Sequence, residues 1–123
     1  MFLWFISGDE RLSELVRDEI QHPENEVFLS PVSIWECIIK YQIGKLPLPE
    51  TPAVYLPRQR KRHFISSLPL DENSAIRLIT LPPVHRDPFD RMLICQAIEN
   101  NLIIVTADGT ICSYPVRTMN GKK

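Results

Sequence analysis

The chain has 123 residues, of which 44% are hydrophobic and 24% charged. That balance and length suit one folded domain, and they exclude both a disordered chain and two full-sized domains, so residues 1–123 are read as a single unit. A formal net charge of -1 excludes a global electrostatic pull on nucleic acid, so any polyanion would have to meet a local basic patch.

The opening MFLWFISGDE is apolar, but its run is shorter than a signal-peptide core, lacks a basic leader and is stopped by Gly8 and Asp9. No stretch reaches the length of a membrane span, and a cytoplasmic protein without membrane contact is expected. The odd set Cys37, Cys95 and Cys112 contains no C-x-x-C pair, which favours reduced thiols.

In chain order, residues 2–6 read as a helix, and Ser13 caps a second one carrying Leu15, Val16 and Ile20 at helical spacing. VFLS, at 27–30, is short and continuously apolar, as a strand covered on both faces would be. Ser33 is expected to open the helix SIWECIIKYQI, which turns Ile34 and Ile38 inward and ends at Gly44 as a left-handed cap. AVYLPRQRKRHFISSL predicts a helix with a basic outer side, its first turn disturbed by Pro57. Asp71 caps another helix through Ile79. Asp87 is the N-cap of the next, with Pro88 at the first helical position, and that helix runs to about Asn100. LIIVT, at 102–106, is a second strand, and PVRTM, at 115–119, a short third.

Strands separated by helices predict an α/β sandwich with a largely parallel sheet and right-handed crossovers. A helix of thirteen residues covers roughly 20 Å and a five-residue strand roughly 16 Å, so the chain leaves one end of the sheet and returns to it. Asp87, Asp90 and Asp108 then share the carboxyl edge of the strands, and Glu36, in the first turn of its helix, joins them. Ligands of open α/β sheets usually bind at that edge.

Each acid also has a local explanation. Ser33 with Glu36 fits a capping box, Asp87 with Asp90 resembles one, and Asp108-Gly109 suits a turn. Two carboxylates about 5 Å apart at an effective dielectric of about 20 repel by roughly 3 kcal/mol, however, and caps worth about 1 kcal/mol do not offset several such pairs. A cation would. Oxygen donors without a histidine or thiol cluster favour Mg²⁺ or Mn²⁺, and phosphodiester hydrolysis is the chemistry such an ion supports.

The segments SPVSIWECIIKYQIGKLPLP, HRDPFDRMLICQAIENNLIIVTADGTI and YPV, above all W-E, D-P-F-D-R and T-x-D in this order, resemble the PIN-domain family and its VapC-like ribonuclease toxins. The resemblance runs from about Phe2 to Met119. It implies a three-layer PIN-like sandwich with a short, mostly parallel central sheet. It also implies a Mg²⁺- or Mn²⁺-dependent endoribonuclease that cuts RNA, forms a homodimer and is held in check by a cognate antitoxin. Glu36, Asp90 and Asp108 match the family's second, third and fourth acids as catalytic and metal-holding groups. Thr106 matches the residue that orders the site, and Asp87 its additional aspartate. Arg91, like Arg86, flanks the acids and is expected to hold them or to touch substrate. His85 reads as a loop residue.

Family members begin with a short strand carrying a first catalytic aspartate in a pattern like L-L-D-T-H, and no such stretch precedes MFLWFISGDERLS here. The N-terminal strand and its acid are therefore expected to be missing from this sequence, and the native protein to be longer. The basic residues Arg58, Arg60, Lys61 and Arg62 could contact RNA phosphates or simply line a solvated helix face. Phe2, Trp4, Phe5 and Trp35 are expected in the core or on a dimer surface. An alternative function is a catalytically impaired PIN-like remnant that only dimerises or binds antitoxin. A phosphoacceptor receiver domain is the third class, disfavoured because no lysine follows LIIVT until the tail.

Overall fold

Proline and small polar residues decide where the main helices of this protein start. The computed structural model describes residues 1–123. Helix α1 (Phe2–Ser7) ends at Gly8, whose φ of 66° lets its N–H turn back to the carbonyls of Trp4 and Phe5. Helix α2 (Glu14–Gln21) follows Ser13, and strand β1 (Phe28–Leu29) leads directly into α3 (Pro31–Gln42).

The start of α3 corrects the expectation at Ser33. Ser30 is the cap: its Oγ accepts the Val32 N–H at 3.1 Å, and Pro31 occupies the first turn. Proline there loses no helical hydrogen bond and supplies a helical φ, so the helix starts one turn before the apparent capping box. Glu36 consequently lies in the second turn.

Helix α4 (Pro52–Arg62) keeps Pro57 within its first two turns, and β2 (Ser66–Ser67) follows. After β2 come α5 (Glu72–Ile76), capped by Asp71 and continued by a 3₁₀ turn through Thr80, and α6 (Pro88–Glu99), capped by Asp87. Strand β3 (Ile104–Thr106), a 3₁₀ turn at Gly109–Ser113 and β4 (Thr118–Asn120) complete the chain. None of these helices is long and apolar enough to cross a membrane.

The fold is mixed α/β and all strand pairing in the named strands is parallel, but the single central sheet expected from the sequence is divided in two. β1 pairs with β2, and β3 pairs with β4. Val27 and Leu29 accept bonds from Ser66 and Leu68, while Ile104 donates to Arg117 and Thr106 accepts from Gly121. Alternate residues of a parallel strand bond to one neighbour, so the amides of Phe28 and Val105 point the other way. Both residues line a cleft of about 460 Å³ between the half-sheets, walled by Phe2, Phe5, Ile20 and Met119.

Two apolar clusters flank this cleft. Phe5, Leu12, Val16, Leu29 and Ile65 form one, with Phe2, Trp4 and Ile34 packed against it. Leu81, Ile94, Cys95, Ile111 and Tyr114 form the other beneath α6. Phe5 is thus core, whereas Trp35 remains 58% exposed. The tail ties the halves: Ser13 N–H donates to Gly121 O at 2.8 Å and Lys123 N–H to Arg11 O at 3.0 Å. All three cysteines are free thiols; Cys95 is buried and Cys112 exposed.

Candidate metal centre

The site is assembled by two turns that start and end regular elements. Asp87 Oδ1 accepts the Phe89 N–H at 2.9 Å, which with Pro88 fixes the first turn of α6 and hence the direction of Asp90. Beyond β3, Thr106 Oγ1 accepts the Asp108 N–H at 3.0 Å. Asp108 Oδ1 in turn accepts from the Thr110 N–H at 3.0 Å and the Thr110 hydroxyl at 2.8 Å. With Oδ1 occupied, Oδ2 is the oxygen presented to the site.

What stands between the two acids is His85. Its Nε2 lies 2.9 Å from Asp90 Oδ2 and 3.1 Å from Asp108 Oδ2, and one ligand atom from each of the three residues falls within 4.8 Å of the others. The His85 N–H donates to the hydroxyl of Tyr114, a core residue, at 2.6 Å. The histidine is therefore pinned from the segment after β3 while its ring reaches the first turn of α6. Periodicity gave no signal for this placement; the one hint was its position five residues before Asp90, across a proline-led cap.

The electrostatics differ for the two acids. Burial pushes the Asp90 carboxyl above its ordinary value, and the charges of Asp87 and Asp108 add to that, with His85 acting in opposition. Asp108 is shifted the other way, because the two hydrogen bonds from Thr110 stabilise its ionised form. A carboxylate that is half-buried beside two other acids is a group whose ionised state a cation would stabilise, so the donor set fits a divalent metal.

Glu36 is not among the three converging groups. Its carboxylate lies 3.5 Å from Lys40 Nζ, one turn along α3. Even so, Trp35 stacks edge-on against Phe89 with ring centroids 4.8 Å apart, so the residues just before Glu36 and Asp90 touch. Asp87 acts as the helix cap. Arg91 turns away from the acids: its Nη2 donates to Leu81 O at 3.4 Å, and its buried Nε has no partner.

The basic run divides by role. Arg58 pairs with Glu50, and Arg60 Nη1 donates to Ile65 O at 2.8 Å, closing the end of α4. Lys61 and Arg62 are exposed and form no ion pair.

Comparison with known proteins bears on this arrangement in two ways. Over 52 residues the chain is 42% identical to Ribonuclease VapC16 of Mycobacterium tuberculosis, a match taking in 42% of this chain and 37% of that protein. The aligned part thus spans well under half of that relative's length. The PIN domain family matches residues 1–116. A match across nearly the whole sequence, joined to a parallel α/β fold in which Asp90 of α6 meets Asp108 just beyond β3, shows that this chain belongs to the PIN-domain family.

Proposed function

We propose that this protein is a Mg²⁺- or Mn²⁺-dependent endoribonuclease, acting in the cytoplasm as the toxin of a type II toxin–antitoxin pair. The observation carrying this reading is the convergence of Asp90 and Asp108, from different elements, on one point beside His85. The ribonuclease named among its relatives supports the choice of RNA as substrate.

Asp90 and Asp108 would hold the ion, with Glu36 approaching from α3 directly or through water. A bound divalent ion supplies an activated water and stabilises charge growing on the phosphate. The chain's own residues do the positioning. Asp87 and Pro88 aim Asp90, Thr106 and Thr110 aim Asp108, and Lys61 and Arg62 are available to phosphates of the RNA backbone.

The test is cleavage of a mixed RNA substrate with Mg²⁺ or Mn²⁺. Cleavage abolished by EDTA and by Asp90→Asn supports the assignment; equal cleavage by Asp90→Asn sinks it.

The divided sheet favours a second reading, a non-catalytic PIN-like module that dimerises or binds an antitoxin. Trp35 and Ile43, exposed on and just after α3, would serve that role. This reading expects partner binding without any RNA hydrolysis or ion uptake.

A further inference from the structure

We propose that His85 is itself a ligand of the divalent ion, through Nε2, and that this nitrogen makes the site prefer Mn²⁺ to Mg²⁺. The inference rests on the metal-centre reading above and deepens it by naming the third donor and the ion.

The distances carry the first part. Ligands about 2.1 Å from an octahedral ion stand roughly 3.0 Å apart when adjacent. His85 Nε2 lies 2.9 Å from Asp90 Oδ2 and 3.1 Å from Asp108 Oδ2, so it stands at a neighbouring-corner distance from each acid, and all three donors fall within 4.8 Å of one another. A histidine serving only as a counter-ion would need one good hydrogen bond to one carboxylate; this one is shared between two.

The support around the ring is consistent with ligation. The Tyr114 hydroxyl holds the His85 backbone at 2.6 Å, and the donors lie on separate supports: the loop before α6, its first turn, and the turn after β3. His85 Nδ1 makes no hydrogen bond to protein. The proton can therefore move to Nδ1 and leave the Nε2 lone pair free without breaking a protein contact there.

Ion preference follows from donor chemistry. Carboxylates and water serve Mg²⁺ and Mn²⁺ alike, whereas an imidazole nitrogen binds Mn²⁺, the weakest of the first-row transition ions, still more tightly than the harder Mg²⁺. A site of two carboxylates and one imidazole gains more from Mn²⁺ than an all-oxygen site would.

Electron spin-echo envelope modulation of the Mn²⁺-loaded full chain tests the claim directly, since it detects a nitrogen bonded to the ion and needs no variant. The expected result is ¹⁴N modulation in the wild type that disappears in His85→Gln. Titration calorimetry should show the variant losing about 10-fold or more in Mn²⁺ affinity and distinctly less in Mg²⁺ affinity. Bound Mn²⁺ without ¹⁴N modulation overturns the role of His85, and equal losses for the two ions overturn the preference for Mn²⁺, each leaving the metal centre standing. A wild type that takes up no Mn²⁺ removes both.

Discussion

Ser30 and Gln96, 66 positions apart, share a buried hydrogen bond: the Ser30 hydroxyl donates to Gln96 Oε1 at 2.5 Å. The same hydroxyl oxygen caps α3, and Gln96 Nε2 donates to the carbonyls of Leu68 and Pro69 at 3.1 and 3.3 Å. One polar side chain on α6 therefore fixes the start of α3 and the exit from β2. The acids at the first turn of α6 inherit their placement from this junction.

Gln96→Leu keeps the volume and removes the three bonds that Gln96 makes, leaving the Ser30 cap on Val32 in place. The buried Ser30 hydroxyl proton would lose its acceptor and the carbonyls of half-buried Leu68 and exposed Pro69 their donor, at about 1–3 kcal/mol for each group that water cannot reach. Chemical denaturation should show a loss of about 2–4 kcal/mol in total. A loss below about 0.5 kcal/mol would mean the network does not hold the junction.

Phe64 has a φ of 57° and leaves 93% of its surface exposed, so it bears a left-handed backbone while burying almost nothing. The turn itself is needed, because the N–H groups of Phe64 and Ile65 return to Lys61 and Arg60 at the end of α4. Phe64→Gly should accordingly raise stability by roughly 0.5–1 kcal/mol, the part of the left-handed penalty that exceeds glycine's extra entropy when unfolded. A lower melting temperature would count against this.

Arg11 grips Asp9 with its guanidinium and its backbone N–H, holding the Asp9 carboxyl down at about 2. The native state thus binds this proton more weakly than the unfolded chain does. The associated stabilisation is present above the ordinary carboxylate value near 4 and is lost as pH falls from there toward about 2. Arg11 is exposed and Asp9 only partly covered, so solvent screens the pair and the effect is small. Asp9→Asn should flatten this part of the pH–stability curve, and an unchanged slope between pH 4 and 2 would contradict the assignment.

The divided sheet makes its own forecast. Amides in the ladders, such as Ser66, Leu68, Ile104 and Gly121, are bonded, whereas those of Phe28 and Val105 face the cleft. Hydrogen exchange followed by NMR should find Phe28 and Val105 exchanging much faster than their neighbours in the ladders. Equal protection would mean the cleft is closed in solution.

The sequence made the local decisions legible and hid the long-range ones. Asp87 with Pro88, Asp71, and Gly44 with its φ of 76° each act within one turn of their own position, so capping rules find them. Ser33 misled because Pro31, two residues earlier, starts the helix one turn sooner. Ser66–Ser67 carries no apolar pattern at all, and only its pairing with β1 makes it a strand. Asp90 and Asp108 were visible because helix and strand lengths return them to one edge. His85 was not, since its place depends on a tyrosine 29 residues away.

If Asp90 and Asp108 together hold one divalent ion, calorimetric titration of the folded chain with Mn²⁺ reads that binding. The expected result is one ion per chain, with binding abolished in both Asp90→Asn and Asp108→Asn while each variant keeps its helical circular dichroism. Uptake undiminished by either substitution, or none by the wild type, would contradict it.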